Sequence, residues 1–360
     1  MANATSKVPV FVGPSLGRHR PPLLGVDLDY RPPASQGDLI AAAVDAPKAI
    51  VLIDGYFEHV PAVHHKEVLW ALDQGIPVYG AASIGALRAA ELSRFGMAGV
   101  GKIFEAFESG ELECDDEVAL IHGPAEVDYA PLSEPLVNIR STLSSALRLG
   151  VIEESFADFL TNRAKATFYP ERSFSRLLDG LEDQDDRIGA ERLASWLPGG
   201  RVDQKRADAM ACLARVAADL QQPCVERGRS NCGFILTDAF VQLLQGTAAR
   251  LPLGSCAAST LIQLCSNAAA DPNAFADVNA AALAIDRASR GPVPVHLLSD
   301  AVNSFLHQVP GRDIDTWMKS RNLDLDTLSR MLEELARIER SAEEAGELVR
   351  RVAHFKLKLG

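Results

Sequence analysis

The residues from Ile50 to Leu92, IVLIDGYFEHVPAVHHKEVLWALDQGIPVYGAASIGALRAAEL, constrain the fold more than any other part of the chain. Ala49 to Asp54 is a short apolar run that ends at the turn signal Asp54-Gly55. From Ala62 to Gln74, apolar Val68, Leu69 and Leu72 recur at helical spacing, and Gly75 stops the pattern. Ile76 to Ala81 is a second buried run, and Ser83 opens a helix built from strong helix formers, ALRAAEL. Two short apolar runs joined by one helix make a βαβ unit with parallel strands and a right-handed crossover.

Ligands of open parallel sheets sit outside the carboxyl ends of the strands. The residues at that edge are Asp54, Gly55 and Tyr56 after the first run and Ala82, Ser83 and Ile84 after the second. The helix that begins near His64, His65 and Lys66 opens at the same edge. A hydroxyl, two imidazoles, an ammonium and a carboxylate are therefore expected to converge.

A chain of 360 residues exceeds one typical core, so two domains, or one with a large extension, are expected. With 47% hydrophobic and 23% charged residues the balance is that of a globular protein. A net charge of −12 argues against a broad nucleic-acid surface, which needs clustered Lys and Arg. No apolar run approaches the ~18 residues of a membrane helix, and MANATSKVPVFVG lacks the apolar core of a secretory signal, so a cytoplasmic location is expected. The six cysteines form no CxxC and no zinc-finger spacing, so no metal and no cofactor are expected.

Lys7 to Val12 is a first strand, ending in Gly13-Pro14-Ser15, which puts another hydroxyl at the ligand edge. The proline-rich segment from Arg20 to Ser35 reads as a connector. LIAAAVDA forms a helix stopped by Pro47, and three glycines between Gly96 and Gly101 mark a compact turn before the short helix KIFEAFESG. After about residue 144 only helical periods remain, among them Asp203 to Leu220. From Leu323 the chain carries long charged helices with pairs such as Glu334 and Arg337. The expected fold is α/β with a mostly parallel sheet and helices on both faces, Rossmann- or flavodoxin-like, over residues 1–145. A mainly helical region follows over 146–360 and suits partner docking.

Ala81-Ala82-Ser83-Ile84-Gly85 matches the nucleophile-elbow pattern GxSxG, except that Ala81 replaces the first glycine. In that reading Ser83 attacks an acyl carbon, and the amides of Ile84 and Gly85 form the oxyanion hole. Ser83 reads equally as an N-cap or as part of an anion site at a helix start. His64 and His65 are candidate bases, kept neutral by the positive helix terminus; His65 is expected to point inward and His64 outward. Either also reads as a plain helix-start residue. His122 with Asp116 gives the chain order Ser, Asp, His of α/β-hydrolases, although Asp115, Asp116 and His122 also read as a capping cluster. Lys66, Arg88 and Arg140 are candidate anion ligands expected to make a local positive patch over Ser83, and Ser15, Asp54 and Tyr56 complete the substrate-binding set. For Lys66 a solvated helix charge, and for the arginines a structural ion pair, remain open.

The set VFVGPSL, PPASQGD, LIDGYFEHVPAVHHKEVLWAL, GAASIGALRAAEL, FGMAGVGKIFEAF, DDEVALIHGP and PLVNIR, in this order, resembles the TfuA-like core over residues 8 to 145. Further on there is only an echo in VDQKRADAM. The resemblance implies an accessory role beside YcaO enzymes in backbone thioamidation of ribosomal peptides. Joined to the Ser83 reading, it implies a serine-type hydrolase that releases sulfide from the C-terminal thiocarboxylate of a ubiquitin-like sulfur carrier. The alternative is a non-catalytic adaptor that recruits YcaO and presents sulfur or precursor peptide. A nucleotide- or phosphate-binding module is a weaker reading, because no glycine-rich fingerprint follows a strand. Among the core motifs only Cys114 offers a thiol for a persulfide relay.

Overall fold

A computed structural model describes residues 7–56, 60–222, 234 and 237–250, together with isolated positions between 293 and 337. The chain divides into two compact units, Met1–Phe234 and Ile235–Gly360.

The first unit is built on five parallel strands: β1 (Lys7–Phe11), β2 (Asp27–Arg31), β3 (Ile50–Leu52), β4 (Val78–Ala81) and β5 (Ala98–Val100). Their order is β2-β1-β3-β4-β5. The order reverses between β1 and β3, which puts the crevice of a doubly wound sheet between the carboxyl ends of those two strands.

Two strands lie where loops were expected. β2 sits inside the proline-rich connector: it is an edge strand, so prolines before and after it break no central ladder. β5 lies in the glycine-dense segment and is the opposite edge. Gly99 is required there because a Cβ would overlap the Phe104 ring.

Helices α1 (Asp38–Val44), α2 (His65–Asp73) and α3 (Ile84–Leu92) follow β2, β3 and β4, and α4 (Lys102–Ser109) follows β5. Side chains alternate between sheet faces. Gly80 turns toward α3, where a Cβ would overlap Gly85 O, and Gly85 lies so close to β3 that a Cβ would overlap Leu52 O. These glycines let the first turn of α3 rest directly on the sheet.

The opposite face, with Val8, Val10, Val51, Ile53, Tyr79 and Ala81, is covered by a helix from much further along the chain, α9 (Gln204–Gln221). Ala209, Cys212, Leu213 and Val216 supply its apolar stripe. At about 1.5–3 kcal/mol per fully buried large aliphatic, Leu213 and Val216 alone anchor the helix firmly. Asp208 on α9 also accepts the Ile103 amide at 2.8 Å and so caps α4, whose own N-cap position, Gly101, has φ +100 and no capping side chain.

Between α4 and α9 the described chain is helical: α5 (Leu136–Arg148), α6 (Glu154–Ala166), α7 (Phe174–Leu178) and α8 (Gln184–Gly200). They share a second core around Leu136, Ile139, Leu143, Leu160, Phe174 and Leu193.

In the second unit α10 (Asp238–Arg250) is described. Most of the charged segment from Leu323 lies outside the described residues. There Arg337 pairs with Glu333 at 2.8 Å, four residues back; the expected partner Glu334 lies outside the described residues. Among the described residues no helix is long and apolar enough to cross a membrane.

Candidate active site

Four polar side chains meet at the carboxyl ends of the three central strands. Ser15 follows β1, Asp54 follows β3, Ser83 follows β4, and Lys205 comes from the first turn of α9. All are buried, at 2%, 1%, 3% and 2% exposure respectively. Buried polar groups need partners, and each has one.

Asp54 Oδ2 accepts the amides of Gly13 and Ser15, both at 2.9 Å, and Oδ1 accepts the Ser15 hydroxyl at 2.7 Å. Three donors hold the carboxylate in the switch-point crevice. Lys205 Nζ donates to Ser83 Oγ at 3.0 Å and to Val118 O at 2.9 Å, and lies 3.9 Å from Asp54 Oδ1. Burial pushes the Lys205 ammonium below its ordinary range, while Asp54 and then Asp203 push it back up.

Ser83 holds the N-cap position of α3, yet its side chain makes no capping hydrogen bond. The backbone enters through Ala82 at φ +66, and the Ser83 amide bonds Ala81 O at 2.7 Å. This is a γ-turn of the rare, strained hand. It sets the Ser83 hydroxyl against Lys205 instead of over its own helix. A hydroxyl 3.0 Å from an amine whose neutral form is favoured by burial can lose its proton to that amine.

The other expected residues are occupied elsewhere. His64 is the N-cap of α2: its Nδ1 accepts the Lys66 amide at 3.2 Å, and Glu67 returns a bond to the His64 amide at 2.9 Å, completing a capping box. Burial first, then neighbouring His65, Arg88 and Lys66, lower its pKa. His65 does not point inward; its Nε2 lies 2.8 Å from Glu91 Oε2, with 43% of the side chain exposed. Its helix position faces α3 at the protein surface, where Glu91 stands.

His122 Nδ1 lies 2.8 Å from Gly123 O, and its ring sits near those of Tyr56 and Tyr129. The carboxylate of Asp116 pairs with buried Arg172. Asp115–Glu117 is a single 3-10 turn rather than the start of a longer helix. Among the described residues, Ser83 Oγ is thus bonded by Lys205 and by no histidine.

The expected cations are likewise paired. Arg88 bonds Glu91 at 2.7 Å and Val63 O at 3.0 Å, and Arg140 forks onto Glu117 at 2.9 and 3.0 Å. Both arginines thus have carboxylate partners, and Lys66 stands in the first turn of α2. Of the two expected oxyanion donors, the Gly85 amide bonds Ile53 O at 3.2 Å. No cluster of residues suited to a metal ion occurs among the described residues.

Lys205 was missed because QKRADA looks like the solvated start of an Ala-rich helix. A signal existed in its spacing: Lys205, Asp208, Ala209, Cys212 and Val216 share one helical face, and a cation and a carboxylate on an otherwise apolar stripe each need a buried partner.

Residues 54–173 match the family model described as TfuA-like protein. No curated protein matches the chain. The matched region contains Asp54 and Ser83, begins after Ser15 and ends before Lys205.

Proposed function

The chain carries a TfuA-like domain over residues 54–173, and on that premise we propose that it is a serine-type hydrolase that releases sulfide from the C-terminal thiocarboxylate of a ubiquitin-like carrier, for use by a YcaO enzyme in peptide thioamidation. The observation that carries the reading is the 3.0 Å contact between Ser83 Oγ and the buried Lys205 amine. Serine–lysine pairs replace the histidine of a triad in several unrelated hydrolases.

In the proposed reaction, neutral Lys205 takes the Ser83 proton as Oγ attacks the thiocarboxylate carbon. The tetrahedral intermediate collapses, the C–S bond breaks, and sulfur leaves as hydrosulfide with the proton held by Lys205. Water then attacks the acyl-serine ester, again with Lys205 as base, and a carboxylate and free Ser83 result. The net change is thiocarboxylate plus water giving carboxylate plus hydrogen sulfide. Asp54 steadies the ammonium formed in each half-reaction, and the Ile84 amide is the retained oxyanion donor.

The near-complete burial of Ser83 and Lys205 favours a second reading, a non-catalytic adaptor that recruits YcaO. Sulfide release from carrier thiocarboxylate, measured without YcaO, separates the two. The hydrolase predicts release by the wild type and none by Ser83→Ala or Lys205→Ala. Equal release by Ser83→Ala would refute the nucleophile. No release by the wild type alone, together with thioamidation in the complete system, would favour the adaptor.

A further inference from the structure

One acceptor of the Lys205 amine is a backbone atom, Val118 O at 2.9 Å. It stands directly after the acidic turn Asp115–Glu117. Two backbone bonds close that turn, from the Glu117 amide to Cys114 O at 3.3 Å and from the Val118 amide to Asp115 O at 3.2 Å. A single 3-10 turn has poorer hydrogen-bond geometry than an α-helix and holds its shape weakly alone.

Two arginines from the helical part grip it. Arg172 donates to Asp116 O at 2.7 Å and pairs with the Asp116 carboxylate, while its Nε bonds Ala164 O and Thr167 O, both at 3.0 Å, at the end of α6. Arg140 on α5 forks onto Glu117. Arg172 and Glu117 are buried, and Asp116 and Arg140 are partly exposed. Burying two charges is a costly way to fix three residues, and what they fix is an acceptor of the Lys205 amine.

The carboxylates that act on Lys205 are Asp54, at the end of β3, and Asp203, at the start of α9. A neutral amine has two N–H donors and one lone pair. To take the Ser83 proton, the lone pair must face Ser83 Oγ, so both N–H groups must be drawn elsewhere. Val118 O takes one, and Asp54 Oδ1, 3.9 Å away, attracts the other.

Resting on the hydrolase reading, we infer that Asp116 and Glu117 are positioning residues for the base: with Arg172 and Arg140 they hold the Val118 carbonyl on one N–H of Lys205 and so turn its lone pair toward Ser83. The aspartate of a Ser-His-Asp triad orients its base in the same sense; here a clamped backbone carbonyl does it.

Titration of Lys205 in the full-length protein, read by NMR from 13Cε-labelled lysine and assigned with Lys205→Met, tests this without turnover. Arg140→Lys keeps the positive charge beside Glu117 and loses the fork. Replacing Ala119 by lactic acid makes the Val118 carbonyl an ester, a weaker acceptor, and changes no charge. A carbonyl bonds an ammonium more strongly than an amine, so both changes should move the Lys205 titration to lower pH. The acidic limb of the pH–rate profile should move with it, and kcat should fall about ten- to a hundredfold. Leu193→Ala, a cavity in the second core, should lower the melting temperature and leave titration and limb in place. If Arg140→Lys does not fold, the ester protein decides. A Lys205 titration unmoved by the ester, or moved equally by Leu193→Ala, would overturn the inference. A titration moved by the ester in a protein whose wild type releases no sulfide would refute the hydrolase and keep the positioning. Ser83-dependent release with an unmoved titration would do the reverse.

Discussion

Two helices start at the same edge of the sheet, and they use their first turns in opposite ways. At α2, His64 and Glu67 exchange the reciprocal bonds of a capping box, and Glu67 also accepts the Gly37 amide at 2.8 Å, tying the start of α1 to the start of α2. At α3, Ser83 occupies the N-cap but caps nothing, and a strained turn delivers its hydroxyl to Lys205. A favoured capping residue that does not cap forgoes about 1 kcal/mol. The α2 start is thus arranged for stability, and the α3 start holds a reactive pair in place.

The contrast breaks most decisively at the serine–lysine pair. Ser83→Ala is expected to lower sulfide release by three or more orders of magnitude, as loss of a nucleophile does. Its stability should fall by no more than about 1–3 kcal/mol, because no cap bond is lost and the Lys205 amine, deprived of the Ser83 acceptor, keeps Val118 O. Lys205→Met should be equally inactive and should also lower stability, since it leaves buried Asp54 without its cation and the Val118 carbonyl without its donor; removing one partner of a buried pair costs up to about 3–5 kcal/mol. Sulfide assays beside thermal melts check both. Retained activity in either variant, or a large fall in melting temperature for Ser83→Ala, would put α3 in the same class as α2.

Asp54→Asn should act less severely. Asp54 raises the affinity of Lys205 for its proton, so removing the negative charge lets the amine lose that proton at lower pH. The acidic limb of the pH–rate profile should move to lower pH, and the rate should fall as the ammonium loses its counter-charge. An unmoved limb would separate Asp54 from the base.

Glu67→Gln sharpens the other side of the comparison. It removes one acceptor of a doubly bonded buried carboxylate and should lower stability by about 1–3 kcal/mol with normal activity per folded molecule. The effect depends on pH. Burial above all raises the Glu67 pKa from 4.5 to about 7, against the opposing pull of the backbone amides of His64 and Gly37. The folded state therefore holds this proton to higher pH than the unfolded chain does. The stabilisation from this linkage is full below about 4.5 and is lost as pH rises through about 7, a change of about 3 kcal/mol. Denaturant melts across that window should show the wild type losing stability relative to Glu67→Gln. A constant difference would mean Glu67 does not titrate there.

The smallest effect belongs to His65→Ala. Its pair with Glu91 is nearly half exposed, and such contacts are worth about 0–1 kcal/mol. Unchanged sulfide release would fit Lys205 as the base; a loss of several hundredfold would return that role to a histidine.

The central βαβ unit was legible because its signals are local: β3, α2, β4 and the start of α3 announce themselves by apolar runs, turn residues and spacing. Ser83 and Asp54 follow from that unit alone. The edge strands β2 and β5 did not, because edge strands tolerate prolines and glycines that ordinarily mark loops. The histidines drew attention as chemistry-bearing residues, but a helix start offers an imidazole structural bonds that spacing does not disclose. Lys205 was out of reach for a different reason. Its partners Ser83 and Val118 lie 122 and 87 residues away in sequence, and no local pattern records which helix will close over the sheet.

That separation has a consequence for how the protein comes into being. A chain emerging from the ribosome completes β4 and the strained turn at Ser83 well before α9 exists. At roughly 5–20 residues per second, the 122 intervening residues take roughly 6–24 s to synthesise. Throughout that interval the nascent serine has no amine beside it, and one face of the sheet is bare. The closing of the hydrophobic core and the completion of the Ser83–Lys205 pair then arrive in a single event, the docking of one helix, and on the proposed hydrolase reading a partly made molecule would be inert toward thiocarboxylates.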